Sequence, residues 1–292
     1  MRYLSLLFVL LLCTCDPAFT LAQQLTPASP ANQGFSAERL TRIDAYMQSL
    51  VDEGIIPNAQ TLVARNGKII HRGTFGLSDL EQKTVTQPDD IYRIASQTKA
   101  IVTVGLMMEW EKGKFLLSDP VSKFIPAFAE TRVLKEQDPE TGEYTTEPLE
   151  RAITIKDLLT HTAGIPYGLP LKNRPELAVP YFASLEDETI EEVANKIAKR
   201  PLVHQPGAGF TYGLGIDVAG RVLEVVSGMS LDDYLTKNIW EPLGMKDSHF
   251  YLPQSKNQRL VSLYSKHTHD GPLTLHDNEV FRDFAVRGAQ TY

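Results

Sequence analysis

"RIASQTKAIVTVGLMMEW", residues 93–110, sets a single lysine, Lys99, in a run that is otherwise almost wholly apolar, three residues after Ser96. A cation buried without a partner loses its hydration, so a purely structural lysine belongs on the polar side of such a helix. The spacing i, i+3 puts Ser96 and Lys99 on one helix face, with β-carbons about 5–6 Å apart. At the helix start, Ser96 has free backbone N–H groups and the helix dipole nearby to stabilise an oxyanion. Flanked by Ala100, Ile101 and Val102, Lys99 is expected to be desolvated, which lowers an ammonium pKa and lets the neutral amine take the serine proton. Ser96 as nucleophile with Lys99 as base is therefore the first candidate pair. A Ser-x-x-Lys arises about once by chance in a chain of this size, so the pair needs support from elsewhere.

Outward from this helix, the pattern on the N-terminal side is a helix and then a hairpin. "FSAERLTRIDAYMQSLVDEG", residues 35–54, has Ser36 as N-cap and Arg39 at N3, carries Leu40, Ile43, Tyr46, Met47 and Leu50 at helical spacing, and stops at Gly54. "AQTLVARNGKIIHRGTFG", residues 59–76, alternates on both sides of Asn66-Gly67, the strongest short hairpin signal. On the C-terminal side, the helix ends near Gly113, and "DPVSKFIPAFAE" precedes a polar insertion with a "DPETGE" turn. "TIKDLLTHTAG" reads as a short helix with Thr154 as N-cap, Asp157 at N3 and Gly164 as C-cap. Ser184 is the expected N-cap of the next helix, whose buried face is Ile190, Val193, Ala194 and Ile197. "GLGIDVAGRVLEVVSG" and "SLDDYLTKNIWEPLG" are two more helices, and "RLVSLYSKHTHDGPLTLHD" is a hairpin turning on Asp270-Gly271. Helices outnumber strands, the strands come as hairpins at the two ends, and no strand-helix-strand repeat occurs. This predicts an α+β fold, an antiparallel sheet flanked by helices with a helical insertion.

The 292 residues, 42% apolar and 22% charged, are enough to bury a sizeable core. Residues 1–22 have the form of a secretory signal peptide: Arg2, the apolar run Leu4 to Leu12, then Thr20 and Ala22 at the small-residue positions. The apolar run is too short to span a bilayer as a mature helix. A lipoprotein signal ending at Cys15 is the rival, with Thr14 an awkward residue before it. Residues 23–34, "QQLTPASPANQG", read as a linker, and a single domain is expected over 35–292. The two cysteines, Cys13 and Cys15, both lie in the leader, so the mature chain has no thiol chemistry and no disulfide framework. Loss of Arg2 and Asp16 with the leader keeps the net charge at -7, a poor match for nucleic acid or anionic membrane.

Other chemistry is thinly represented. There is no Gly-x-Ser-x-Gly elbow, no His-Glu-x-x-His and no Walker loop, and the glycines at Gly213 and Gly215 do not follow a strand. His267 and His269 lack an acidic or histidine partner at ligand spacing and read as a solvated hairpin tip. His161, in the last turn of its helix, is a tempting base, but hydrogen bonding to nearby backbone is the favoured reading.

Four stretches in order, "YRIASQTKAIVTVGLMMEWEKGKFLLSDPVSKFIPAF", "ITIKDLLTHTAGIP", "QPGAGFTYGLGIDVAGRVLEVVSG" and "EPLGMKDSHF", resemble successive signature blocks of the β-lactamase-related serine hydrolases. That family takes in class C-like β-lactamases, D-alanyl-D-alanine carboxypeptidases and related esterases. The resemblance runs from about residue 36 to the end. It implies a β-lactamase/transpeptidase-like fold, Ser96 as the acylated nucleophile, Lys99 as its base partner, and Tyr212 as a proton relay between nucleophile, lysine and leaving group. It implies no cofactor or metal and a small ester, lactam or peptide as substrate. Two departures stand out. Where β-lactamases resemble Tyr-x-Asn, this chain has Tyr212-Gly213-Leu214, and a leucine cannot hydrogen-bond a lactam side chain, which favours the esterase branch. The family's third motif, on a late strand, has only His269-Asp270-Gly271 as a match, on a hairpin turn, which reads as coincidence. The chain is therefore expected to be an incomplete copy of its fold beyond "FRDFAVRGAQTY", poorly soluble and nearly inactive, with a non-catalytic binder on the same fold as a further alternative.

Overall fold

The computed structural model describes residues 25–138, 140–168, 188–268 and 270–276. The Asn66-Gly67 hairpin forms as its alternation predicts, from β2 (Asn58–Arg65) and β3 (Lys68–Asp79), paired antiparallel from Asn58↔Gly76 to Arg65↔Lys68 with a bulge after Val63. Asn66 and Gly67 take φ of 51° and 70°, the pair of left-handed residues that a tight two-residue turn demands and that asparagine and glycine adopt at least cost. The helix capped by Ser36 is α1 (Ala37–Asp52), and the Ser36 hydroxyl accepts from the Arg39 N–H at 3.2 Å. It packs on β3 with Leu40 buried, while Tyr46 stands exposed.

Part of the stretch read as a linker belongs to this sheet. β1 (Thr26–Pro27) pairs parallel with β3, and the Lys68 ammonium donates to the Thr26 hydroxyl at 2.7 Å. With β4 (Thr84–Val85) on the far end of β3, the strand order is β1-β3-β2.

The helical part is built around α2 (Thr98–Glu111), which packs against α5 (Gly215–Ser227) and α6 (Leu231–Leu235). A β-carbon on Gly105 would lie 3.0 Å from both the Leu223 and Leu235 methyls, so the glycine sets the closeness of the three helices. α3 (Ile155–Leu159) and α4 (Ile190–Ala198) cover α5, and α6 runs through a π turn into α7 (Glu241–Leu243). The α4 face, Ile190, Val193, Ala194 and Ile197, is buried as its spacing predicts. Its N-cap, however, is Thr189, in a reciprocal capping box with Glu192; Ser184 lies outside the described residues. Thr154 and Asp157 form the expected box on α3, but that helix ends at Thr160, before Gly164.

Two hairpins complete the fold. β5 (Arg132–Gln137) and β6 (Tyr144–Pro148) pair across the "DPETGE" turn, so strands occur in the middle of the chain as well as at its ends. Short, mostly polar strands with a single buried residue, Val133, lack the clean alternation by which a strand is recognised. β7 (Tyr264–Ser265) and β8 (Thr274–Leu275) form the last hairpin. Before it, the chain returns to the first sheet: the Val261 N–H donates to the Ile91 carbonyl at 2.9 Å, and the Arg93 guanidinium to the Val261 carbonyl at 2.9 Å. This anchors the segment that leads into Ser96. Among the described residues, no helix is long and apolar enough to cross a membrane.

Candidate active site

Ser96 lies on one turn of 3-10 helix, Ala95–Gln97, that feeds into α2. The residue before it, Ala95, has φ of 42°, a left-handed conformation that costs an alanine roughly 1–2 kcal/mol. The strained turn presents Ser96 at the surface, held between the Ile91–Val261 contact on one side and α2 on the other. One helical turn on, the Lys99 ammonium lies 3.5 Å from the Ser96 hydroxyl and donates to the Tyr167 hydroxyl at 2.9 Å. It sits 5.4 Å from the Tyr167 ring centroid and 5.3 Å from that of Tyr212. The same ammonium thus lies beside both the Ser96 hydroxyl and the Tyr212 ring, so Ser96, Lys99 and Tyr212 converge. Tyr212 is 44% exposed and within reach of a substrate.

Local packing explains how Tyr212 arrives there. A β-carbon on Gly213 would fall 2.2 Å from the Ile165 carbonyl oxygen and 2.8 Å from the Pro166 carbonyl carbon, so only glycine lets the two backbones touch. That contact carries Tyr212 and Tyr167 to a ring separation of 5.6 Å. Leu214 turns the other way, into the core, where it is 1% exposed. The leucine that replaces an asparagine therefore contributes nothing polar to the cleft. His161 follows α3 in a left-handed conformation, φ 55°, and its carbonyl accepts from the Thr211 N–H at 2.8 Å. Its ring packs 4.7 Å from that of Tyr212, and its Nδ1 is buried without a partner, so it does not make the backbone bond expected of it at that nitrogen.

The electrostatics differ from expectation at Lys99. Burial works to lower its pKa, but the hydrogen bond to Tyr167 and the nearby Asp217 outweigh burial, and the net displacement is upward. Lys99 is thus a cation at neutral pH. Tyr212 moves down, chiefly because its oxygen is hydrogen-bonded by Ser96, with Tyr167 and the Lys99 charge adding to the effect against burial. His161 is also lowered, by burial and then by Lys99. A phenol made more acidic and flanked by a lysine cation forms its phenolate more readily, and the phenolate can accept the serine proton.

Two neighbours of Lys99 escape a reading of the sequence. Tyr167 is a lone aromatic in "AGIPYG" with no periodicity to mark it. Asp217 did carry a signal, the same one as Lys99: a charge within the apolar helix "GIDVAGRVLEVV". His267 is exposed on the last hairpin, and His269 lies outside the described residues. No group of three or more potential metal ligands occurs among the described residues.

The helix that begins at a serine, the lysine one turn on and the tyrosine ahead of a buried helix, beside a mainly antiparallel sheet, define a β-lactamase/transpeptidase-like protein. Residues 43–283 match the Beta-lactamase family, and the chain belongs to it. It is 31% identical over 263 residues to esterase EstB of Burkholderia gladioli, covering 87% of this chain and 62% of EstB. It is 33% identical over 227 residues to lovastatin esterase of Penicillium rubens, covering 76% of this chain and 56% of that enzyme. Among solved structures, EstCE1, described as a hydrolase with promiscuous acyltransferase activity, superposes with a TM-score of 0.69 at 29% identity, covering 82% of this chain and 59% of that one. The chain thus spans 56% to 62% of the length of these two curated relatives.

Proposed function

We propose that this protein is a secreted serine hydrolase that cleaves carboxylic esters through an acyl-serine intermediate on Ser96. The observation that carries the reading is the convergence of the three side chains: the Lys99 ammonium stands 3.5 Å from the Ser96 hydroxyl and 5.3 Å from the Tyr212 ring centroid. In this reading Tyr212 reacts as its phenolate, and Ser96 Oγ attacks the ester carbonyl as its proton passes to the phenolate oxygen. The Lys99 ammonium stabilises the tyrosine oxygen and, at 3.5 Å, the serine oxygen. Collapse of the tetrahedral adduct releases the alcohol, which takes the proton from Tyr212, and water then hydrolyses the acyl-serine by the same proton path. The names of two relatives, both esterases, support the ester as substrate class.

A β-lactamase or D-alanyl-D-alanine carboxypeptidase is the rival reading, and Leu214 counts against it, because no carboxamide stands at that position to grip an acylamino group. Turnover of a short-chain nitrophenyl ester against a chromogenic cephalosporin separates the two; preference for the cephalosporin would overturn the ester reading. Labelling of Ser96 by a fluorophosphonate probe separates both from a non-catalytic binder. Export is a further part of the proposal, resting on the leader-like residues 1–22. Intact mass should show a mature chain starting at Gln23, whereas a retained Met1 or a lipid on Cys15 would refute cleavage after Ala22.

A further inference from the structure

Lys99 also lines a half-open pocket of about 40 Å³ between α2 and α5, whose lining includes neither Tyr167 nor Tyr212. Its wall is mostly hydrocarbon, from Val102, Ile216, Leu231 and Phe250. Into this wall is set Asp217, which is 9% exposed and whose Oδ2 has no hydrogen-bond partner. A carboxylate buried in hydrocarbon with an unfilled oxygen is costly, and it persists only where something nearby compensates it. Part of the compensation is local: Asp217 is in the first turn of α5, where the helix dipole favours a negative charge and its own backbone N–H is within bonding reach. The rest is Lys99, which lines the same cavity.

We propose that Asp217 is a positioning residue: from inside the cavity its carboxylate is the counter-charge that keeps the Lys99 ammonium charged and seated between Tyr167 and Tyr212, facing Ser96. The inference rests on the hydrolase reading above and assigns a role to a residue outside the Ser96, Lys99 and Tyr212 set. The groups packed around Asp217 leave Lys99 as its partner. α6 contributes Asp232, whose charge neighbours are Asp233 and His249. The segment after α7 contributes Tyr251. α4 offers Ile190, with Glu191 turned to Arg221 at 2.7 Å and Glu192 occupied in its capping box. Just after α3, His161 packs its ring against Tyr212. Burial lifts the Asp217 pKa to about 6 and Lys99 opposes that rise, as a coupled pair requires. Below that pH the counter-charge is lost.

The test reads Lys99 directly. In the full chain, the rate of Lys99 acetylation by acetic anhydride, followed across pH by peptide mass relative to surface lysines, reports the neutral fraction of its amine. Asp217→Asn should lower the Lys99 pKa by about one unit and so raise its labelling about tenfold at a fixed pH below the titration. The alkaline limb of nitrophenyl ester hydrolysis should move down by the same amount, with kcat falling more than KM changes, and Asp217→Glu should restore both. Labelling within twofold of wild type in a folded Asp217→Asn chain would overturn the proposal. If that variant does not fold, Lys99→Met provides the converse reading: at pH 8 an infrared band of a protonated carboxyl should appear that wild type lacks, and its absence would also overturn the coupling. A folded wild-type chain whose Ser96 takes no fluorophosphonate label but with the Lys99 shift present would sink the hydrolase reading and leave the coupling standing. Normal ester turnover with an unshifted Lys99 would sink the coupling alone.

Discussion

The two ends of α2 bury charge in opposite ways. Near the C-terminal end, Glu109 is 3% exposed and fully served: its Oε1 accepts from the Tyr234 hydroxyl at 2.6 Å and from the Lys112 ammonium at 2.6 Å. Burial pushes the Glu109 pKa up, the two donors pull it down further, and the result lies below an ordinary glutamate. The Tyr234 hydroxyl, by burial and the same carboxylate, moves above its ordinary value. Nothing at that end is left to react. At the N-terminal end the charges are only half matched. Lys99 has one short hydrogen bond to Tyr167, a long contact to Ser96, and an Asp217 with an empty oxygen beyond it. Saturated polar networks stabilise a core, whereas a network with spare acceptors and a strained residue beside it is what a reaction site requires.

The largest effects that would test this contrast are on chemistry at the N-terminal end. Ser96→Ala should abolish ester turnover and fluorophosphonate labelling, and Lys99→Ala and Tyr212→Phe should each slow acylation by about two to four orders of magnitude, the usual scale for a proton-transfer group. Stopped-flow acylation rates with thermal unfolding of each variant check this. Near-normal rates in any of the three would remove that residue from the mechanism.

At the other end the expected effect is on stability alone. Glu109→Ala leaves the Tyr234 hydroxyl buried without an acceptor and opens a small void, which should lower stability by about 1–3 kcal/mol while leaving ester turnover per folded molecule unchanged. Denaturant unfolding beside active-site titration distinguishes the two. A loss of turnover in the folded fraction would show that the ends of α2 are coupled.

A comparable but pH-dependent effect is expected at the α3 cap. Asp157 is 4% exposed and is held at about 2, below its ordinary 3.8: burial raises it, and Arg151, at 2.6 and 2.8 Å, together with Thr154 lowers it by more. A folded pKa below the unfolded one means that the folded state binds fewer protons between the two values, so the stabilisation is present above about pH 4 and lost as pH falls toward 2. Asp157→Asn should therefore cost on the order of 2 kcal/mol at pH 7 and little at pH 2, and should flatten the acid limb of the stability profile. An unchanged acid limb would mean that the ion pair contributes nothing to folding.

Much of the framework was legible in the sequence because its causes are local. A cap acts over three residues, as at Ser36 and Thr154; a two-residue turn acts over two, as at Asn66-Gly67; and a helix face repeats every three or four, as from Ile190 to Ile197. Ser96 and Lys99 belong to the same class, one turn apart on one helix. Tyr212 is marked as a candidate only by its resemblance to a known motif, and local pattern alone reads it as a packed aromatic. What surrounds them depends on contacts between distant parts of the chain. Tyr167 reaches Lys99 from 68 residues away, brought there by the Gly213 contact with the 165–166 backbone, and Asp217 comes to line the same pocket as Lys99 only because α5 packs on α2. The charge state of Lys99 follows the same rule. Its apolar neighbours in sequence predict a neutral amine through desolvation, but a pKa is set by every group within a few ångströms, and those groups are chosen by the tertiary structure.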